Sequence, residues 1–73
     1  MEEQDIMNAY YCRTAVEVFR LEQWYKAIPS DVAIDTEGIS HVNLIILKEN
    51  GFPSRQTEVI AHDELATRLR CIA

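Results

Sequence analysis

The stretch His41–His62, HVNLIILKENGFPSRQTEVIAH, is the strongest strand–turn–strand signal in the chain. An apolar run leads into the turn formers Asn50-Gly51 and Pro53, and a second, alternating run follows. The pattern predicts a β-hairpin with strands Ile39–Leu47 and Gln56–Ala61. Two strands alone are marginally stable in water, so the remaining residues must supply what covers the hairpin.

Burial is expected to fix the register. Pairing Val42 with Ala61, Leu44 with Val59 and Ile46 with Thr57 places these residues on one face, toward a core. The opposite face then carries Asn43, Ile45, Leu47, Gln56, Glu58 and Ile60.

Residues 5–28 contain neither Gly nor Pro and end at Pro29-Ser30-Asp31. Met7, Tyr11, Thr14, Val18, Leu21, Tyr25 and Ile28 recur at steps of four and three, which predicts one long helix, Asp5–Ile28, with a continuous apolar stripe. Cys12, Ala15, Val16 and Phe19 form a second patch, so either the helix is buried on both faces or one face belongs to an interface, including a homodimer in which the long stripe pairs with its own copy. Val32–Ile34 is a candidate third strand, Asp35–Gly38 a turn, and Glu64–Ile72 a short C-terminal helix capped by Asp63. The expected architecture is one small α+β domain, residues 1–73, with helices against an antiparallel hairpin.

Twelve acids against seven Lys and Arg give a net charge of −5. Residues 1–37 hold eight of the acids and only three bases, whereas residues 38–73 hold four of each. An acidic chain is repelled by a phosphate backbone, which disfavours direct nucleic-acid binding. The longest fully apolar run, Leu44–Leu47, is too short to cross a membrane. Residues 1–15 carry early acids and no apolar segment of the signal-peptide kind, so a cytoplasmic setting with Cys12 and Cys71 reduced is expected.

His41 and His62, joined by Cys12 or Cys71, have the ligand types that zinc prefers, but lack its usual close spacing, and they read more simply as the two ends of the hairpin. Asp63 and Glu64 beside His62 sit at a predicted helix start, where carboxylates cap backbone N–H groups without chemistry. No glycine-rich phosphate loop is present, and no catalytic group, metal or cofactor is implied. The expectation is a non-enzymatic protein.

Trp24 is the sharper signal, because Trp and Arg are enriched at binding hot spots. On a helix it would lie beside Arg20, with Arg13 farther along the same side. Together with the outer hairpin aliphatics Ile45, Leu47 and Ile60, these residues form the candidate partner-binding surface. The alternatives are that residues 30–37 cover the indole or that it stacks on Arg20.

The layout of a helix at Asp5–Ile28, a hairpin at His41–His62 and a short helix at Glu64–Ile72 resembles the small host-takeover proteins of bacteriophages. Its length is similar to that of the transcription inhibitor of a Xanthomonas phage. The resemblance implies binding to bacterial RNA polymerase in the host cytoplasm and altered promoter use or termination. It transfers no binding residue. Anti-CRISPR proteins, with acidic surfaces that imitate nucleic acid, are the other implied type, and a homo-oligomeric structural subunit is the third reading.

Overall fold

The computed structural model describes residues 1–72 and shows an α+β domain built on a larger sheet than a hairpin. Helix α1 spans Glu3–Cys12, followed by strands β1 (Val16–Arg20), β2 (Gln23–Asp35), β3 (Gly38–Leu47) and β4 (Pro53–Ala61). A 3-10 turn at His62–Glu64 leads into a short helix, α2 (Leu65–Arg68), and a two-residue strand, β5 (Leu69–Arg70). The sheet order is β4-β3-β2-β1-β5, antiparallel throughout.

The long helix expected over Asp5–Ile28 does not form. Arg13 takes a left-handed conformation (φ 54°) and the Thr14 N–H donates to the Ala9 carbonyl, which closes α1. The following VEVFR then alternates in burial, with Val16 and Val18 inward and Glu17 and Phe19 half-buried on the other face. β-Branched and aromatic residues suit a pleated surface, and that preference wins here. The seven-residue stripe is therefore not a helix face. Only Ile6 and Ala9 of α1 are buried, and Tyr11 is exposed.

β1 and β2 are joined by a two-residue turn, with Arg20 paired to Gln23. Both turn residues, Leu21 (φ 50°) and Glu22 (φ 64°), have positive φ, as a primed hairpin turn demands. That geometry normally calls for Asn, Asp or Gly, so a Leu-Glu pair leaves no turn signal in the sequence.

Val32–Ile34 is strand, but as the far end of β2 rather than a separate element. The register shifts between Pro29 and Asp31 and again between Ala33 and Ile34. A bulge at Pro29–Asp31 accommodates a proline in mid-strand and bends β2. The predicted C-terminal helix is shorter than Glu64–Ile72, because Leu69–Arg70 leave it to pair with β1.

The hairpin's register is offset by one residue from the expected one. His41 pairs with Ala61, Val42 with Ile60, Asn43 with Val59, Leu44 with Glu58 and Ile45 with Thr57. Val42, Leu44 and Ile46 face the core as expected. On β4, however, Ile60 is the buried residue, at 0 % exposure, while Val59 is 56 % exposed. Ile6, Val18, Leu44, Ile60 and Leu69 are the largest fully buried side chains together with Val42.

The sheet curls. In a flat sheet β4 and β1, separated by two strands, would lie about 14 Å apart. Here Arg20 of β1 donates to Glu58 of β4 at 2.9 Å, and α2 packs against both strands. The Met1 ammonium donates to the carbonyls of Leu65 (2.8 Å) and Leu69 (3.0 Å), pinning the chain's start to the α2–β5 corner.

Gly38 opens β3 at φ +115°, and an added Cβ would stand 2.5 Å from Glu3 Oε1, whose carboxylate accepts the Ile39 N–H. Gly38→Ala is thus strained in its backbone, and it makes the Glu3 carboxylate swing aside and give up the Ile39 N–H. We expect it to cost about 1–3 kcal/mol, measured by urea unfolding.

Candidate binding surface

The inward end of the sheet holds a linked set of charges. Glu58 accepts from Arg20 Nε at 2.9 Å and from Arg68 at 3.2 Å, and Arg68 also reaches Glu64 at 3.1 Å. Arg68 Nε donates to the Phe19 carbonyl at 2.9 Å, which fixes the guanidinium between strand and helix. The hydrogen bond from Arg20 is the main cause that holds the Glu58 carboxyl below its usual range; burial opposes it and Arg68 reinforces it. Burial would lower the Arg68 value, but its bonds to Glu58 and Glu64 outweigh that and raise it. These groups satisfy one another through charge-assisted hydrogen bonds that link β1, β4 and α2.

This arrangement removes Arg20 from the free surface on which it was expected. Its guanidinium lies 5.5 Å from the centre of the Tyr25 ring, not over Trp24. Arg13 is exposed in the turn that closes α1, not on a helix shared with Trp24. Ile60 is core, which excludes it from any contact surface of the folded chain.

Trp24, Ile45 and Leu47 do share one face, the outer side of the sheet. Phe19 pairs with Trp24 and Ile28 with Ile45, and alternation along β2 and β3 carries Trp24 and Leu47 to the same side. The Trp24 ring packs against Phe19, with centroids 5.3 Å apart, and against Arg70, whose guanidinium sits 3.9 Å from the indole centre. Glu17 holds that guanidinium at 2.9 Å. The stacking partner of Trp24 is therefore Arg70 of β5, sequence-distant and invisible to helical spacing.

One end of the sheet gathers the β1–β2 turn and the β3–β4 loop. Between them lies a shallow groove of about 350 Å³, lined by Gln23, Trp24, Tyr25, Lys26, Leu47, Lys48 and Glu49. Leu21, at the turn tip, is 73 % exposed, and Phe52, in the loop, is 68 % exposed. Sequence reasoning missed both. Phe52 follows Asn50-Gly51, a visible turn signal, but Leu21 falls in step with a helical stripe.

Each histidine has its own local partner. His41 stands opposite Ala61, with Nδ1 3.3 Å from Ser40 Oγ. His62 Nδ1 lies 2.8 Å from the Ile39 carbonyl, which only accepts, so that nitrogen carries the proton. Among the described residues no three His, Cys, Asp or Glu side chains are grouped to hold a metal ion, and no helix is long and apolar enough to cross a membrane.

Comparison of the chain with protein-family models, curated proteins and solved structures finds no match.

Proposed function

We propose that the chain is a non-enzymatic protein-binding regulator that docks through the sheet end carrying Leu21, Trp24, Leu47 and Phe52. The observation that carries this reading is the turn at Leu21-Glu22. It holds a large apolar side chain 73 % exposed on two successive left-handed residues. Exposure and backbone strain both disfavour such a residue for stability alone, and strain of this kind concentrates at functional positions. Phe52 adds a second exposed apolar side chain at the same end, and the groove between them has the half-buried Trp24 and Leu47 on its walls. Lys26, Lys48 and Glu49 supply a polar rim around that apolar centre, the usual composition of a contact surface.

The partner we propose is bacterial RNA polymerase, following the resemblance to phage host-takeover proteins. The five-stranded sheet replaces the helix–hairpin–helix layout on which that resemblance was drawn, leaving the similar chain length as its support. The partner and the surface therefore need separate tests.

The double variant Leu21→Asn/Glu22→Gly gives the turn the residues its backbone prefers. It is expected to raise folding stability by at least about 1–2 kcal/mol, since Gly removes one left-handed penalty of that order and Asn eases the other. It is also expected to weaken polymerase binding about tenfold or more, the scale on which hot-spot residues act. Biolayer interferometry with immobilised polymerase and thermal unfolding read the two effects. Unchanged affinity in the stabilised variant would exclude the turn from the surface, and no binding by the unsubstituted chain would exclude the polymerase.

A further inference from the structure

The fold brings the chain's two cysteines to one place. Cys12 is the last residue of α1, and Cys71 follows directly on β5. The left-handed turn at Arg13 returns the chain into β1, and β5 pairs with β1 through Glu17–Arg70 and Val18–Leu69. Extending that pairing by one residue sets Cys71 beside Val16, four residues after Cys12. Both thiols are free and exposed, and both line a single groove of about 340 Å³ with Asp5, Asn8, Val16 and Ile72. Two residues almost a whole chain apart in sequence thus share one small, open site.

We infer that Cys12 and Cys71 form a dithiol site that closes to an intramolecular disulfide by exchange with a small disulfide of the oxidised-glutathione class. One protein thiolate attacks a sulfur of the small disulfide, forming a mixed disulfide and releasing one small thiolate. The second protein thiolate then attacks the protein sulfur of that mixed disulfide and releases the other small thiolate. The two protein thiols are oxidised, the small disulfide is reduced to two thiols, and the protons of the protein thiols end on the released thiolates. The bond ties the end of α1 to the segment after β5. It closes residues 12–71 into a ring, and a long loop is the case in which a cross-link restricts the unfolded state most. This groove shares no lining residue with the one at the proposed docking surface, and the inference does not depend on that surface.

The test is to equilibrate the full chain with mixtures of reduced and oxidised glutathione and to analyse the quenched products by mass spectrometry and non-reducing electrophoresis. The expected product is a monomer lighter by two hydrogens with no titratable thiol. It should exceed the doubly glutathionylated chain by at least about tenfold, because the folded groove raises the local thiol concentration. That excess should fall when the exchange is run in urea, and the cross-linked chain should melt at a higher temperature than the reduced one. Cys12→Ser and Cys71→Ser should each stop at the single mixed disulfide. A doubly glutathionylated monomer, a covalent dimer as main product, or an equal yield in urea would each overturn the inference.

Discussion

Ile60→Ala is expected to cost about 2–4 kcal/mol of folding stability, the range for truncating a buried aliphatic side chain. Val59→Ala, one residue away, should stay within about 1 kcal/mol, as an exposed strand substitution does. The contrast follows from the pairing of Val42 with Ile60, which turns Ile60 into the core at 0 % exposure and Val59 outward. A domain of this length has a total stability of roughly 4–11 kcal/mol, so the first variant removes a large share of it. Urea unfolding of the two variants reads the hairpin's register directly. Equal losses, or the larger loss at Val59, would mean that the strand pairs one residue away from where the structure places it.

Glu58→Gln should cost about 1–3 kcal/mol, because it keeps the side chain's shape and leaves Arg20 and Arg68 beside each other with no shared carboxylate. The groups keep some contact with water, which limits the loss to less than that of a fully buried pair. The same carboxylate gives the fold a pH dependence of definite sign. Glu58 is held below its ordinary value of 4.5, first by the hydrogen bond from Arg20. Its stabilising contribution is complete above that ordinary value. It is lost as the pH falls toward and through the depressed folded-state value, since the unfolded chain takes up the proton first. The unsubstituted protein should therefore lose stability on acidification below pH 4.5, and Glu58→Gln should lose less over the same interval. Parallel acid profiles for the two proteins would refute the assignment of this step to Glu58.

Glu58 also explains why the register was not legible in the sequence. Val59 and Ile60 are adjacent aliphatics, and either can point inward. Choosing Val59 sends Glu58 to water, the natural place for a lone carboxylate. The structure sends Glu58 inward because Arg20 and Arg68, from two other elements, converge on it. Neither arginine is near it in sequence, so the local pattern favoured the wrong phase. The same blindness affects Trp24. Helical spacing points to Arg20 and Arg13 as its polar neighbours, whereas β5 supplies Arg70.

The helix from Asp5 to Ile28 failed for a different reason. Its apolar residues satisfy a helical period over the full span, while Val16–Phe19 also satisfies a strand period. A turn residue between them would have decided for strands, and Leu21-Glu22 offers none. Sheet pairing on both sides of β1, with β2 and with β5, makes that turn form despite its strain.

Sequence by itself determined the strand–turn–strand at the centre of the chain, the inward set Val42, Leu44 and Ile46, the mixed α+β class and the acidic balance. These are local matters of side-chain period, turn chemistry and charge. Tertiary structure alone decided that the first helix stops at Cys12, that β4 turns Ile60 rather than Val59 inward, and that Cys12 and Cys71 line one groove. Each of these depends on pairing with another element of the sheet, whose energy outweighs the local preference and leaves no mark in the neighbouring residues.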